Sequence, residues 1–475
     1  MLPTPAASRW RERSRRRACT TFRAARSRAA IEDSILKMPA SGRWVTVFAL
    51  LALYALSYVD RVAISLLIDP IKTDLGLTDT QMGLVVGAGF AVTFTLLSVP
   101  IGILADRISR RLIIASGLVI WSLGTGLCGL ATTMAVLIAA RALTGVGEAS
   151  LTPCGPALIA GAFPPERRAL PIAVYVSGIF LGGGITFVGG ATLMAALTEL
   201  VSELAPQMPP WRIVFFFLGA LGLPALLLVL LIRERARPMA VAPRPVNAAK
   251  RHTIGKASAW ALLGTFIGFP LITTSTASLV AWSAVALTRD YGFTLQEAGL
   301  AIGLTFGFGG VSGALASGGL VDFFWRRGRH DAHYLIVGGA GAAIALTAAA
   351  VAMNPGSESF LMLVIVGLSL GATSTALQFS AIQAVTPPEL RGRVLGGYAM
   401  VTHFFPHAMG GFLVGFVSDA GLGNGSISLS VALVSVTAAG LGTITLFVFR
   451  PIFRRRVAEI AALETTAGEQ ADANA

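Results

Sequence analysis

Charged residues are scarce in this chain, and their scarcity excludes most soluble folds. Only 13% of the 475 residues are Asp, Glu, Lys or Arg, whereas 54% are hydrophobic. A soluble domain carries about a quarter charged residues. Because so few polar side chains are available to cover a water-exposed surface, we expect the chain to lie within a lipid bilayer.

Cysteines are few, and nucleotide-binding motifs are absent. The three cysteines, Cys19, Cys128 and Cys154, have no metal-ligand spacing, so we interpret them as small packing residues. The sequence contains neither a Walker loop nor a dinucleotide fingerprint, so nothing indicates nucleotide hydrolysis. We therefore expect no enzyme, no metal site and no bound cofactor, with a proton gradient as the source of energy.

Long hydrophobic runs dominate the chain instead. A helix needs roughly 20 predominantly apolar residues to cross the hydrocarbon core of a bilayer. Twelve runs of about this length or more predict an all-α membrane protein. The predicted spans lie at about 44–68, 80–104, 111–131, 134–162, 169–197, 211–232, 257–287, 295–323, 333–353, 358–384, 393–418 and 427–449.

The net charge of +13 comes from the uneven placement of Lys and Arg. They cluster in the breaks after the second, fourth, sixth, eighth and tenth spans, whereas the other breaks have only Lys72, Arg212 and Arg289 within or beside them. Loops rich in Lys and Arg stay on the cytoplasmic side, so both termini are predicted to be cytoplasmic. The basic excess is thus a topology signal, and we expect no nucleic-acid partner.

The first 42 residues form a basic tail. The stretch SRWRERSRRRACTTFRAARSRAA is rich in arginine and poor in acidic residues, and it lacks the apolar core of a secretory signal. We interpret 1–42 as a disordered tail, or as sequence upstream of a true start at Met38 rather than Met1. A transit-like or membrane-surface segment is the alternative.

The longest polar interruption divides the twelve predicted helices into six and six. It contains Pro238, Pro243 and Pro245. The predicted organisation is a six-helix bundle at 43–232, a cytoplasmic linker at 233–256, a second six-helix bundle at 257–450 and a cytoplasmic tail at 451–475.

Internal repeats support this division. PPERRALPIAVY at the fifth helix resembles PPELRGRVLGGY at the eleventh, and GILADRISRR after the second helix resembles GGLVDFFWRR after the eighth. The second pair aligns Asp106 with Asp322. Parallel six-helix repeats that rock about a midplane site are typical of secondary transporters.

The GILADRISRR segment resembles the signature of the major facilitator superfamily, and the resemblance extends from about Gly42 to Arg456. It implies the major facilitator fold and a transporter that works by alternating access. It also implies a latch between the cytoplasmic ends of the two halves in the outward-facing state. A carboxylate beside mobile arginines can form charge-assisted hydrogen bonds in one state and lose them in the other. The predicted latch residues are Asp106, Arg107, Arg110, Arg111 and Asp322.

Within the superfamily, the chain resembles the spinster family of lysolipid and sphingolipid transporters. The matching segments are DLGLTDTQMG between the first two helices, WSLGTGLCGLA, and RALTGVGEASLTP. The Tyr-x-Asp-Arg and Gly-x-Gly-Glu-Ala elements are shared with organic-anion and sugar-acid symporters and discriminate less. Helix 5 resembles the glycine-rich antiporter element but lacks its proline, which argues against drug antiport.

Four charged residues fall inside the predicted spans, Asp60 and Arg61 in helix 1 and Arg141 and Glu148 in helix 4. A charge within a span costs about 2.5–3.5 kcal/mol, so such residues usually face a cavity and serve a function. Arg141 and Glu148 are seven residues apart and share one helical face. Asp60 and Arg141 lie at similar depths, so we expect them to pair, while Arg61 points to another helix or to carbonyl groups.

We hypothesise that Glu148 and Asp60 carry protons and that Arg141 binds an anionic head group or a vacated carboxylate. Tyr58, Arg61 and Glu148 complete the predicted substrate-binding set. Burial disfavours a charged carboxylate and a nearby arginine favours it, so opening and closing the cavity shifts proton occupancy. A static ion-pair network that fixes helix packing is the alternative.

Helix 11 carries His403 and His407, four residues apart on one face. Two histidines without a carboxylate are too few for a metal site. We favour packing or hydrogen bonding within their half, and substrate contact and pH sensing stay open. The rest of the second half is rich in Ser, Thr, Gly and aromatic residues, which suits an acyl chain lying toward helices 7, 8 and 10.

These patterns predict a proton-linked transporter of a lysolipid or similar amphipathic anion in the bacterial cytoplasmic (inner) membrane. Its expected partners are that small molecule and the lipid bilayer, and we expect a monomer. A proton-coupled symporter of a small organic anion such as a sugar acid is the main alternative. A drug antiporter and a non-transporting membrane receptor are further ones.

Overall fold

A computed structural model describes residues 40–164, 167–202, 207–234, 256–387 and 390–472. Met1, Met38 and Cys19, nearly all of the predicted N-terminal tail and most of the predicted linker lie outside these residues. So do two residues in each of the repeated segments PPERRALPIAVY and PPELRGRVLGGY.

Within the described ranges, twelve helices are long and apolar enough to cross a membrane, and no strand occurs. The predicted all-α fold is therefore confirmed. Eleven of the twelve helices lie within a few residues of their predicted spans, whereas the last one continues past its predicted end at residue 449 to Ile460. The helices are α1 Gly42–Leu66, α2 Asp79–Leu104, α3 Arg110–Cys128, α4 Met134–Ala162, α5 Leu170–Leu197, α6 Pro210–Leu231, α7 Ser258–Tyr291, α8 Leu295–Arg326, α9 Ala332–Met353, α10 Ser357–Val385, α11 Val394–Asp419 and α12 Ile427–Ile460. A short helix, Ile68–Leu75, precedes α2, and the helix of α12 continues to Asp472.

Helices α2 and α8 begin with the same local motif, which extends the internal repeat into the structure. Thr78 and Gln81 form a capping box at the start of α2, and Thr294 and Glu297 form one at the start of α8. In each box, a hydroxyl and a side chain three residues later satisfy otherwise unpaired backbone N–H groups. The two helices thus start equivalently in the two halves.

Several spans are interrupted near the middle of the bundle. α4 breaks after Glu148 and resumes at Leu151, and α8 contains a π-helical turn at Thr305–Gly309. Interruptions of this kind are frequent at functional sites. The π-helical turn brings Phe306 to the wall of a central cavity.

The two halves pack closely at one end of the bundle. There the first part of α2 contacts α11, and α5 contacts α8. We call this the closed end; it carries the α1–α2 and α7–α8 connections. The opposite end carries the α2–α3 and α8–α9 turns and most of the arginines, and we call it the basic end.

Candidate functional site

Glu148 lies within the first half and is paired with Arg61. Its Oε2 accepts hydrogen bonds from Nη2 of Arg61 and from the Ser57 hydroxyl, each at 2.7 Å. The Glu148 side chain is fully buried, and that of Arg61 is 9% exposed. Arg61 therefore reaches the carboxylate of α4, a partner that the sequence analysis did not assign to it.

Asp60 is paired with Arg141, as expected from their similar depths. Nη1 of Arg141 lies 3.8 Å from Oδ2 of Asp60, and the Thr125 hydroxyl donates to Oδ1 at 2.7 Å. Asp60 and Arg141 are both buried. The pair joins α1 to α4, and Thr125 connects it to α3.

Part of the hydrogen-bonding capacity of this network is unused. No guanidinium nitrogen of Arg141 donates a hydrogen bond within the part of the chain that the structure describes, and Oδ2 of Asp60 and Oε1 of Glu148 accept none there. A buried polar group without a hydrogen bond costs about 1–3 kcal/mol, and a charged one costs more.

A cavity lies between the two halves, and Arg61 forms part of its wall. The Cζ atom of Arg61 lies 4.6, 4.5 and 4.9 Å from the ring centroids of Tyr58, Phe90 and Phe94. Rings at these distances attract a cation and hold its position. Arg61 therefore has Glu148 on one side and the cavity on the other.

Arg141 does not line this cavity in the conformation described. It is fully buried, because α4 packs against α2 and α3, and its Cζ atom lies 5.4 Å from the centroid of Phe90. The prediction that a head group lies beside Arg141 therefore needs correction for this conformation. Arg61 is the arginine at the cavity wall, and Asp60 and Glu148 lie behind it.

The opposite wall comes from the second half and is polar, and its described residues include no Asp, Glu, Lys or Arg. His403 meets Phe94 of the first half edge to face, with ring centroids 5.3 Å apart. The interpretation that both histidines pack only within their own half is wrong, because the α11 face that carries them faces α2 and the cavity. The polar residues of this wall are Thr273, Thr276, Gln378, Thr402, His403 and His407.

An ion cluster joins the two halves at the closed end. Arg289 of α7 hydrogen-bonds the carboxylates of Asp69 and Asp79, reaching Oδ1 of Asp79 at 3.1 Å. Lys72 lies 2.5 Å from the same oxygen, and the Ser418 hydroxyl donates to Oδ2 of Asp79 at 2.9 Å. Asp79 is buried, so the cluster closes this end around a carboxylate shielded from water.

Asp419 strengthens the same contact by capping α2 from the second half. Its carboxylate accepts hydrogen bonds from the backbone N–H groups of Asp79, at 3.2 Å, and Thr80, at 2.7 Å. A negative charge is favourable at a helix N-terminus. The DLGLTDTQMG segment, which the sequence analysis used only as a family signature, thus supplies Asp79 and Gly83 to the closed end.

Gly83 allows α2 and α11 to approach each other closely. A Cβ atom at this position would overlap the carbonyl oxygen of Gly411. We therefore expect Gly83→Ala to separate the helices and to raise severalfold the labelling rate of a cysteine placed at Val414, which is fully buried on α11. Gly126→Ala is the matched control, because a Cβ atom there meets nothing within 4 Å. Equal labelling of the two variants would contradict the expectation.

The two carboxylates of the predicted latch, Asp106 and Asp322, lie at the basic end of the two halves. Asp106 has a side chain that is 79% exposed, and its Oδ1 lies 3.7 Å from Arg110 of the same half. Arg107 and Asp322 are exposed at the ends of α2 and α8. The predicted latch closes the basic end in the outward-facing state. Here the opposite end is closed, so the latch residues of the two halves are expected to be separated. Their role as a latch stays a prediction.

Glu234, just after α6, is a residue that the sequence analysis missed. Its carboxylate accepts hydrogen bonds from the backbone N–H groups of Arg110, at 2.9 Å, and Arg111, at 3.0 Å, and from the Ser109 hydroxyl. It thereby caps the N-terminus of α3. The isolated acid in the basic stretch RERAR was the available signal, but its partner lies more than 120 residues earlier in the sequence.

Twelve helices in two halves that meet at one end around a central cavity, with charged pairs buried beside it, define a secondary transporter that works by alternating access. The family comparison agrees. A family model described as Major Facilitator Superfamily matches residues 50–410, so the chain belongs to this superfamily and is an integral membrane protein. Members of this family are transporters rather than enzymes.

Individual relatives show the range of proteins that this chain resembles. An MFS-type efflux pump of Mycolicibacterium smegmatis is 28% identical over 423 residues, covering 88% of this chain and 95% of the pump. A D-galactonate transporter of Escherichia coli is 26% identical over 313 residues, covering 61% of this chain and 69% of that transporter.

A solved structure resembles the whole described bundle. It is the crystal structure of a bacterial homologue of the human lysosomal transporter spinster, in an inward-facing and unoccupied conformation. It matches with a TM-score of 0.69 and 21% identity, covering 90% of this chain and 99% of that chain. The predicted resemblance to spinster proteins is thus confirmed at the level of the fold.

Proposed function

We propose that this protein is a proton-linked transporter of a lysolipid or similar amphipathic anion in the cytoplasmic (inner) membrane of a bacterium. The observation that carries the proposal is the composition of the cavity wall. Arg61 is the only Lys or Arg among the described residues that line it, and most of its neighbours are aromatic or aliphatic. One cation beside an extended apolar surface suits a ligand with an anionic head and an apolar tail.

The head group is placed at Arg61. Its guanidinium has several donors, and Nε makes no hydrogen bond within the described ranges. The acyl chain would then lie along the apolar residues of the second-half wall, which include Val280, Phe306 and Leu368. Tyr58 packs against Arg61 and limits its movement, so the head group meets a cation in a fixed position.

Proton coupling follows from competition for Arg61. The Glu148 carboxylate and an anionic head group both bind this guanidinium, and a protonated Glu148 binds it far less strongly. A proton on Glu148 therefore makes Arg61 available to the substrate, so proton and anion are bound in the same state. Asp60 and Arg141 form a second ion pair beside the first. Asp60 is a second carboxylate that can take up the proton when Glu148 releases it.

The membrane orientation is part of the proposal. Loops rich in Lys and Arg are retained in the cytoplasm, which places the basic end and both termini on that side. The closed end then faces outward, so this conformation has its outer entrance closed. The predicted latch at Asp106 would form after the halves rock and close the inner entrance.

Uptake of a labelled lysolipid into proteoliposomes, with and without an imposed pH gradient, tests this function. We expect gradient-dependent uptake by the native protein and at least a tenfold loss of it in Glu148→Gln, while exchange of substrate without a gradient continues. Glu199→Gln, at an exposed glutamate, is the matched control and should transport normally. Full gradient-dependent uptake by Glu148→Gln would refute the coupling role.

A small organic anion is the second candidate substrate. The D-galactonate transporter of Escherichia coli is a relative, and the threonine and glutamine side chains of the cavity wall suit a hydroxylated ligand. Thermal unfolding of the purified protein separates the candidates. Stabilisation by the acylated ligand, but not by its water-soluble head group, supports the lysolipid; stabilisation by sugar acids alone supports the second candidate.

A further inference from the structure

A second groove lies at the basic end of the second half, away from the central cavity. It is formed where α9 begins and where α12 leaves its apolar span. Its described wall residues and those of the central cavity do not overlap. The residues that carry the argument are His330, Asp331, Phe447, Arg450, Arg454 and Arg455.

Positive charge dominates this groove. Among the described residues, three arginines and one carboxylate line it. That carboxylate, Asp331, is buried and accepts a hydrogen bond from Nε of Arg450 at 2.6 Å. Arg454 and Arg455 therefore have no further carboxylate facing them among the described residues of the wall. Arg454 is exposed, and the Arg455 side chain is 84% exposed, with Glu459 one turn further along as its ion-pair partner.

His330 adds a further polar group to the wall. Its Nδ1 is buried and makes no hydrogen bond within the ranges that the structure describes, and its ring packs edge to face on Trp325 at 4.9 Å. Three more arginines lie nearby in the chain, Arg326 at the end of α8 and Arg327 and Arg329 in the α8–α9 turn. The groove is thus a concave, basic surface beside an aromatic side chain.

An apolar surface begins at the same groove and extends into the membrane-spanning part of α12. Phe447 lines the groove and is 40% exposed, and the adjacent Val448 is 64% exposed. Phe447 precedes Arg454 by seven residues, about 10 Å along the helix. A molecule bound to the arginines would therefore have its apolar part beside Phe447, at the depth of lipid acyl chains.

From this arrangement we infer that the groove binds the phosphodiester head group of an anionic phospholipid from the leaflet at the basic end. Arginine forks match phosphate oxygens with paired hydrogen bonds. Basic pockets between membrane helices recognise anionic head groups in this way. The exposed apolar continuation at Phe447 favours a lipid over free phosphate, because free phosphate makes no use of it.

Native mass spectrometry of the purified full chain tests the inference, with phosphatidylglycerol and phosphatidylcholine of identical acyl chains as probes. The native protein should retain phosphatidylglycerol preferentially. Arg454→Gln/Arg455→Gln should weaken its binding about thirtyfold, since each basic residue near an anionic surface contributes about a fivefold factor. Arg454→Lys/Arg455→Lys should keep most of the preference for phosphatidylglycerol. If it does, the weaker binding of the glutamine variant reflects the lost charges and not misfolding.

The control is Arg167→Gln/Arg233→Gln, at two exposed arginines at the same end of the first half. It should bind phosphatidylglycerol like the native chain. Equal lipid binding by the native protein and the Arg454→Gln/Arg455→Gln variant would overturn the inference, as would complete competition by inorganic phosphate at equal concentration. The readout is lipid binding and not transport, so its outcome is independent of the proposed substrate.

Discussion

Arg61→Ala is expected to abolish transport and to destabilise the first half of the protein. The substitution removes the cation at the cavity wall and leaves the carboxylate of Glu148, which is fully buried, with the Ser57 hydroxyl as its one remaining hydrogen-bond donor among those described. Breaking a buried ion pair by removing one partner costs about 3–5 kcal/mol. Thermal unfolding in detergent and uptake into proteoliposomes measure the two effects separately.

A second variant separates stability from function. Arg61→Ala/Glu148→Gln removes both charges, so it should recover most of the lost stability and still fail to transport. Arg61→Lys retains a charge but loses the planar group that contacts Phe90 and Phe94, so we expect weakened substrate binding in a folded protein. Normal uptake by Arg61→Ala would exclude Arg61 from the substrate site.

Arg289→Ala is expected to open the closed end. Arg289 hydrogen-bonds two carboxylates of the first half, and its side chain is 27% exposed. Losing about 1–2 kcal/mol from this contact changes the ratio of the two conformations about 5–30-fold. The labelling rate of a cysteine at Val414, which is buried in the closed state, should rise by a similar factor.

Arg212→Ala is the matched control for that experiment. Arg212 also pairs with an aspartate at the closed end, since its Nη2 lies 2.9 Å from Asp74, but both residues belong to the first half. Its loss should leave cysteine labelling unchanged. If Arg212→Ala and Arg289→Ala raised labelling equally, the effect would reflect general loosening of the bundle rather than release of a contact between the halves.

The membrane fold could be read from the sequence because each span has to satisfy its own backbone. In a bilayer, a helix forms all of its backbone hydrogen bonds internally, so length and apolar composition are enough to locate it. The predicted spans coincide with the described helices to within a few residues, except at the end of α12. The capping boxes at Thr78 and Thr294 are equally local, since each involves residues only three positions apart.

The buried charges were identified from the sequence, but their partners were only partly predicted. The cost of burying a charge singled out Asp60, Arg61, Arg141 and Glu148, and helix depth correctly paired Asp60 with Arg141. Depth along a helix says nothing about rotation around its axis relative to a neighbour. Rotation determines that Arg61 reaches Glu148, 87 residues away in sequence, and faces the cavity.

Contacts between the two halves were beyond sequence reasoning, because they join residues separated by 100 or more positions. Arg289 with Asp79, and Asp419 with the start of α2, are examples. The same holds for His403, whose contact with Phe94 exists only where the halves meet.

The sequence by itself determined the bilayer setting, the twelve helices, their division into two halves and the four charges that required an explanation. Each of these depends on composition or on short-range periodicity. Only the tertiary structure decided which arginine lies at the cavity, which carboxylate that arginine neutralises and which end of the bundle is closed. Those features depend on the rotation and relative placement of whole helices, which many weak packing contacts determine together.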